Sequence, residues 1–325
     1  MQMNRVPASG RKRFGKGRLR MILGIDVGGT AVKLGVLNRD GTILDRYEAP
    51  VNGDGYATPV LTSVLRAAES FLSRRGEKPE GIAVSATGQV DDRRGVVIGT
   101  NGGIPGYEGT DFRTALEEKY QVPVHVLNDA NAAALGEAFT GGARGCRDAV
   151  MVTLGTGVGG GVISGGRLIR GSRGIAGELG HFSIDRNGVP CTCGQRGCFE
   201  QYASATALLR MAREASPEEP VRNGLEFFGR AEQGDAAMRG VLDRWLDGVA
   251  AGLTGLVHIF NPEILLIGGG VSRQEELLIV PLRERVLRGL MPRFAENFRL
   301  EAAKLGNDAG MIGALKFWLD EEEGK

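Results

Sequence analysis

From Met21 the chain alternates apolar runs with glycine turns. Ile22 to Ile25 and Ala31 to Leu37 read as β-strands separated by Gly28-Gly29, and Asp40-Gly41 signals a hairpin into a third strand. From Thr58 to Arg75 the period lengthens. Val60, Leu61, Val64, Leu65, Ala68, Phe71 and Leu72 recur at helical spacing. "GIAVSATG" then reads as a buried strand ending in glycine, "FRTALEEKY" as a helix, "VPVHVLND" as a strand and "ANAAALGEAF" as an Ala-rich helix. The second half repeats this grammar. "DAVMVTLGTGVGGGVISGGRLI" is strand, Gly-rich turn, strand, with a hairpin at Ser164-Gly165-Gly166. Helices are expected near 203–213, 223–232 and 235–260, a strand at "EILLIGGGVS", and a closing helix at "DAGMIGALKFWL". The likeness of "GIDVGGTAVKLGV" to "VTLGTGVGGGVIS" suggests an internal duplication: two α/β lobes with a cleft between them.

Composition narrows the class. The 325 residues, 42% of them apolar, suffice for two lobes of ordinary domain size. Four cysteines do not make a disulfide scaffold. No apolar run reaches the ~18 residues of a membrane helix, and no signal-peptide core is present, so a cytoplasmic protein without a membrane partner is expected. The formal charge of +1 hides an asymmetry: residues 1–20 carry seven Lys/Arg and no acid. Without them 33 basic residues face 39 acidic ones, a mildly acidic body that argues against nucleic-acid binding. Residues 1–20 themselves read as a basic, disordered tail.

Three glycine turns follow strands. In "GIDVGGTAVK", Gly28 and Gly29 let backbone N–H groups approach an anion, Thr30 adds a hydroxyl and Lys33 a charge, while Asp26 is placed to hold Mg²⁺ through water. The turn leads into a strand, so it is neither a Walker loop nor a Rossmann fingerprint. "LGTGVGGG", Gly155 to Gly161 with Thr156 and Gly157, is the second turn, and Gly268, Gly269 and Gly270 are the third. Each alone reads equally as a hairpin or bulge. Together they suit a nucleotide gripped in the cleft, its phosphates on the first two turns and its nucleoside against the third.

Asn128 and Asp129 end a strand just before a helix. That is where an N-cap belongs, and it is also where a carboxylate can accept the proton of an attacking hydroxyl. His181, Cys191, Cys193 and Cys198 form a Cys₃His set in the spacing C-x-C-x₄-C, with the histidine ten residues upstream. A disulfide, a metal and a thiol catalyst are the alternatives. A Cys-x-Cys pair closes a disulfide poorly, and a thiol catalyst needs no three cysteines, so a structural Zn²⁺ is the reading. Closing that loop would gather Glu178, His181 and Glu200 which, with Asn128 and Asp129, make a polar site for a polyhydroxylated ligand. Cys146 stands apart and reads as a small buried residue.

With these motifs assembled, the chain resembles the ROK family of sugar kinases and repressors. The resemblance rests on "DVGGTAVK", "LNDANAAALGE", "TLGTGVGGG", "GELGH", "CTCGQRGCFEQYAS" and "LLIGGGVS", in order from Met21 to the end. It implies an actin-like ATPase (RNase H-like) fold: an N-terminal lobe over 21–127, a C-terminal lobe with the zinc loop over 128–308, and a closing helix, 309–325, packing back on the first lobe. It implies transfer of the ATP γ-phosphate to a hexose hydroxyl, glucose to glucose 6-phosphate foremost; N-acetylmannosamine, fructose, mannose or a β-glucoside are the other sugars in view. It makes Asp129 the base, gives Asn128, Glu178, His181 and Glu200 to the sugar, and suggests a homodimer or homotetramer. Glucokinase-like members often carry an Asn-[Leu/Ile]-Pro-Gly-Trp run against the sugar. Here Ile104-Pro105-Gly106 fits, Tyr107 replaces the tryptophan, and the asparagine, Asn101, comes two residues early. The rival is a sugar-sensing regulator without kinase activity. About twenty residues before the first strand are too few for the DNA-reading domain of the family's repressors.

Overall fold

A computed structural model describes residues 21–100 and 103–324. The basic tail 1–20 and Asn101 lie outside the described residues. Three strands open the chain, β1 (Ile22–Val27), β2 (Ala31–Leu37) and β3 (Ile43–Pro50), followed by helix α1 (Val60–Arg75). Then come β4 (Gly81–Ala86), a small hairpin of β5 (Gln89–Asp91) and β6 (Val96–Gly99), helix α2 (Phe112–Tyr120), β7 (Val124–Asn128) and helix α3 (Asp129–Phe139). The second half runs β8 (Ala149–Leu154), β9 (Val158–Ser164), β10 (Arg167–Leu168), then helices α4 (Glu200–Ala203), α5 (Ala205–Ala215), α6 (Gly224–Glu232) and α7 (Ala236–Phe260). It closes with β11 (Ile264–Gly268), α8 (Val280–Gly289), α9 (Pro292–Ala295), β12 (Arg299–Ala302) and α10 (Ala309–Glu323).

The duplication is structural. One sheet has the order β3-β2-β1-β4-β7 and the other β10-β9-β8-β11-β12. In both, the first three strands are antiparallel neighbours and the last two join in parallel. Alternation along each strand feeds two cores. Leu23, Ile25 and Val27 of β1 face the layer of α1 and α2, while Ile22 faces α10. Val150, Val152 and Leu154 of β8 face α5 to α8, while Ala149 and Met151 face α3. The layers therefore stack as α1/α2, first sheet, α10 with α3, second sheet, α5–α8.

Glycines set the spacing of the central pair. A Cβ on Gly313 of α10 would strike the Ala132 carbonyl of α3, and one on Gly136 would strike Ala309 O. The two helices thus cross backbone to backbone. The outer layer leans on α7, whose Met238, Val241, Leu242, Trp245, Val249 and Leu253 repeat at helical spacing and are buried. Asp235 caps its start by accepting from the Ala237 and Met238 amides, and Asn261, at φ 45°, ends it.

Several expectations are corrected. The helix expected near 203–213 is α5, starting two residues later because Ser204 is extended (φ −70°, ψ 158°) and its side chain caps the helix; the short α4 before it was not expected. The second glycine turn is shorter than 155–161: β9 begins at Val158, so Gly159, Gly160 and Gly161 lie inside a strand. Their role there is close packing, because a Cβ on Gly161 would press on Ala134 of α3 at 2.6 Å. Cys146 is only half-buried, and its sulfur accepts from Arg299 Nη2 at 3.1 Å.

Candidate functional site

Asn128 ends β7 and Asp129 begins α3, so the strand–helix junction is also a cap: Asn128 Oδ1 accepts from the Asn131 amide at 3.0 Å. The Asn128 amide nitrogen donates to Gly88 O at 2.8 Å and to Asp129 Oδ1 at 3.0 Å. Asp129 also accepts from the Ala130 amide and bonds the Thr87 side chain. The capping and catalytic readings of this pair coexist. Burial and the neighbouring Asp26 carboxylate push Asp129 up to about 6, against the hydrogen bonds that pull it down. Asp26 is raised too, mainly by burial; the Ser85 hydroxyl, donating at 2.7 Å, and the Lys33 charge oppose that shift. Lys33 stands directly across from Asp26 in the β1–β2 ladder.

The first glycine turn keeps part of its backbone for itself. Gly28 N–H donates to Ala31 O at 3.0 Å, closing the hairpin, and Gly29 O accepts from the Tyr56 hydroxyl. The donors left for an anion are the amides of Gly29 and Thr30, with the exposed Thr30 hydroxyl. The second turn is built alike: Gly155 N–H donates to Gly157 O at 3.0 Å. It is backed by α5, through Ala205 N–H to Gly155 O at 2.8 Å and the Thr206 hydroxyl to Thr156 O at 2.7 Å. The third turn meets the second across the sheet. Gly268 pairs with Thr153, and Gly269, at φ +89°, lies so close to the Leu154 carbonyl that a Cβ would collide with it. The second and third turns are thus one continuous surface.

The Cys₃His cluster forms. One ligand atom from each of His181, Cys191, Cys193 and Cys198 lies within 4.8 Å of the others. His181 Nδ1 is 3.7 Å from Cys191 Sγ, and Cys193 Sγ is 3.4 Å from Cys198 Sγ. Four soft or borderline donors at this spacing fit a tetrahedral Zn²⁺. The loop is held by backbone bonds from Cys191 N–H to Gln195 O, Gly197 N–H to Val189 O and Phe199 N–H to Phe182 O. Phe199 is fully buried, with its ring on the bare backbone of Gly252 in α7. That helix therefore anchors the loop. His181 N–H donates to Glu178 O at 3.1 Å and Glu200 N–H to Gly180 O at 2.9 Å, which brings the three polar residues into one loop cluster. Glu178 is exposed, and among the described residues its carboxylate has no hydrogen-bond partner. Glu200 points elsewhere: its Oε2 accepts from Val158 N–H at 3.0 Å and sits over Gly157. It joins the sugar-side loop to the second glycine turn.

A family model for the ROK family matches residues 22–321. The chain belongs to the ROK family. A glucokinase of Thermotoga maritima is 37% identical over 308 residues, covering 90% of this chain and 95% of the relative. Among solved structures, a ROK hexokinase from Thermus thermophilus superposes with a TM-score of 0.79 at 35% identity, over 94% of this chain and all of that one. A ROK family glucokinase from Streptomyces griseus, solved with glucose and AMPPNP, gives 0.78 at 33% identity, over 91% of this chain and 98% of that one. The fold of this ROK protein is the actin-like ATPase fold, with two lobes around a cleft.

Sequence reasoning missed several residues here. Tyr56, at φ 66°, reaches across to Gly29 O. Ser85 bonds Asp26, and the two are partners in the β1–β4 ladder. Tyr107, which the motif had already singled out, is 2% exposed; its hydroxyl lacks a hydrogen-bond partner among the described residues, and burial with the fields of Asp129 and Asp26 raises it. Only the strand pairing could have located Ser85. For Tyr56 no local signal exists.

Proposed function

We propose that this ROK protein is an ATP-dependent hexose kinase that transfers the γ-phosphate to the 6-hydroxyl of glucose. The proposed cleft lies between residues 21–127 and 128–308, with 309–325 closing back on the first lobe. The observation that carries the reading is the Asp129 carboxylate at the β7–α3 junction, half-buried near the Asp26 carboxylate and raised to about 6. A general base is most useful when its pKa lies just below the working pH. A sugar-sensing regulator has no use for such a base, nor for glycine turns with open amides.

In the proposed reaction the sugar hydroxyl oxygen forms a bond to the γ-phosphorus while its proton passes to Asp129. The bond from that phosphorus to the bridging oxygen breaks, and ADP leaves with the electron pair. Asn128, Glu178 and His181 are assigned to the sugar, as are Asn101 and Glu200, the latter through Oε1, the oxygen it does not give to the second glycine turn. The amides of Gly29, Thr30, Thr156 and Gly157 and the Lys33 ammonium are assigned to the phosphates, within turns shaped by Gly28 and Gly155. Gly268, Gly269 and Gly270 are assigned to the nucleoside side. Mg²⁺, held through Asp26, would neutralise phosphate charge. Zn²⁺ on His181, Cys191, Cys193 and Cys198 would fix the loop, leaving His181 Nε2 for the sugar. Among the described residues no helix is long and apolar enough to cross a membrane. A cytoplasmic homodimer or homotetramer completes the proposal. Proton NMR of the product after incubation with glucose and ATP·Mg²⁺ tests it: glucose 6-phosphate is expected, and a phosphate on any other hydroxyl would refute the assignment of the acceptor.

A further inference from the structure

Asn131 belongs to none of the roles assigned above, yet it is one of few buried polar side chains, 2% exposed, and it lies two residues after the base on α3. Its backbone amide takes the Asn128 cap at 3.0 Å. Its side-chain amide nitrogen donates to Ala176 O at 2.9 Å, across 45 residues of sequence. Its Oδ1 is buried without a hydrogen-bond partner among the described residues. The next residue, Gly177, sits at φ +102°, where a Cβ would come within 2.8 Å of Asn131 Oδ1 and 3.0 Å of Gly160 O. Glu178 follows immediately. From there the segment turns on itself through Leu179 N–H to Gly177 O and His181 N–H to Glu178 O, and it ends on the zinc loop through Glu200 N–H to Gly180 O.

We infer that Asn131 is a positioning residue that sets sugar selectivity. It fixes the distance between the half of the sugar site at the β7–α3 junction, Asn128 with Asp129, and the half on the 176–181 segment, Glu178 with His181. This rests on the kinase reading above. Two facts favour it over plain core packing. A buried amide that leaves its own oxygen unsatisfied is costly, and an apolar residue would fill the space without that cost. The bond also goes to the one carbonyl that precedes Gly177, a position only glycine fits, and the sugar-side glutamate, so losing it frees that segment while leaving α3 intact. The amide thus acts on geometry between two groups, where a shift of about 1 Å is expensive.

Asn131→Ser is too short to reach Ala176 O, and Asn131→Asp keeps the volume but replaces the donor by an oxygen. Both are expected to raise the KM for glucose by about tenfold or more, to leave the KM for ATP within about twofold, and to compress the preference for glucose over its epimers. Glucose affinity measured calorimetrically without ATP should fall in parallel. Variants that melt earlier but keep glucose affinity and epimer preference would overturn the inference, because a merely structural role predicts that pattern. If the unsubstituted protein binds sugar but releases no ADP, the kinase reading fails, and the calorimetric comparison still decides the role of Asn131. Asn131→Asp carries the test should Asn131→Ser not fold.

Discussion

Asp129 must be ionised to act, and its surroundings resist ionisation. Burial and the Asp26 charge outweigh three hydrogen bonds and hold it near 6, above the ordinary 3.8. The protonated form therefore contributes stability below about pH 4, and that contribution disappears as pH rises through about 6. Catalysis runs the opposite way: kcat/KM should fall on the acid side with an apparent pKa near 6. Asp26→Asn removes one source of the shift, so that limb should move to lower pH. A pH–rate profile in which the limb stays fixed would show that Asp26 does not act on Asp129. Asp129→Asn should reduce turnover by a factor of about 10² to 10⁴ while glucose still binds. Because a half-buried charge near Asp26 is gone, this variant should also be more stable to urea at pH 7 than the parent protein. Near-normal turnover would remove Asp129 as the base.

At the scale of elements, the zinc loop has little regular structure of its own. Between Ser183 and Cys198 it is held by two isolated bridges and a few turns, and Phe199 on Gly252 is its main apolar anchor. Ligand bonds are therefore expected to hold the loop's conformation. Cys193→Ser, or exhaustive chelation, should release one zinc per chain, lower the melting temperature and weaken glucose binding through His181 and Glu178. Unchanged zinc content in Cys193→Ser would contradict the site. This loop was legible in the sequence because its signal is local: three cysteines and a histidine within eighteen residues. The glycines of β9 were not, because Gly159 to Gly161 look like a phosphate turn until α3 is seen against Gly159 and Gly161 and Leu179 against Gly160. The segment from Glu275 to Ala302 was equally silent. It holds a π-turn, the ten-residue α8, the four-residue α9 and a four-residue strand; only α8 is long enough for a period, and it buries just Leu282 and Val286.

At the scale of the molecule, the repeated strand–turn–strand grammar was visible because each copy opens with an apolar strand and a glycine turn. How the copies are joined was not. The join is the crossing of α3 and α10, where Gly136 and Gly313 bring two backbones together, and nothing in either helix alone announces its partner. Gly313→Ala should force the helices apart and cost roughly 1–3 kcal/mol or more by overpacking. Denaturant unfolding measures this, and a variant of unchanged stability would show that the crossing relaxes freely. Tyr56, Ser85 and Asn131 were illegible for the same reason, since each acts on a residue brought near only by the finished topology.

The most direct test is ADP release with ATP·Mg²⁺ by zinc-loaded protein across glucose, mannose, fructose, N-acetylglucosamine, N-acetylmannosamine and cellobiose. Sugar-dependent turnover is expected, fastest per unit KM with glucose. Folded protein that binds glucose yet releases no ADP above background with any of these sugars would contradict it.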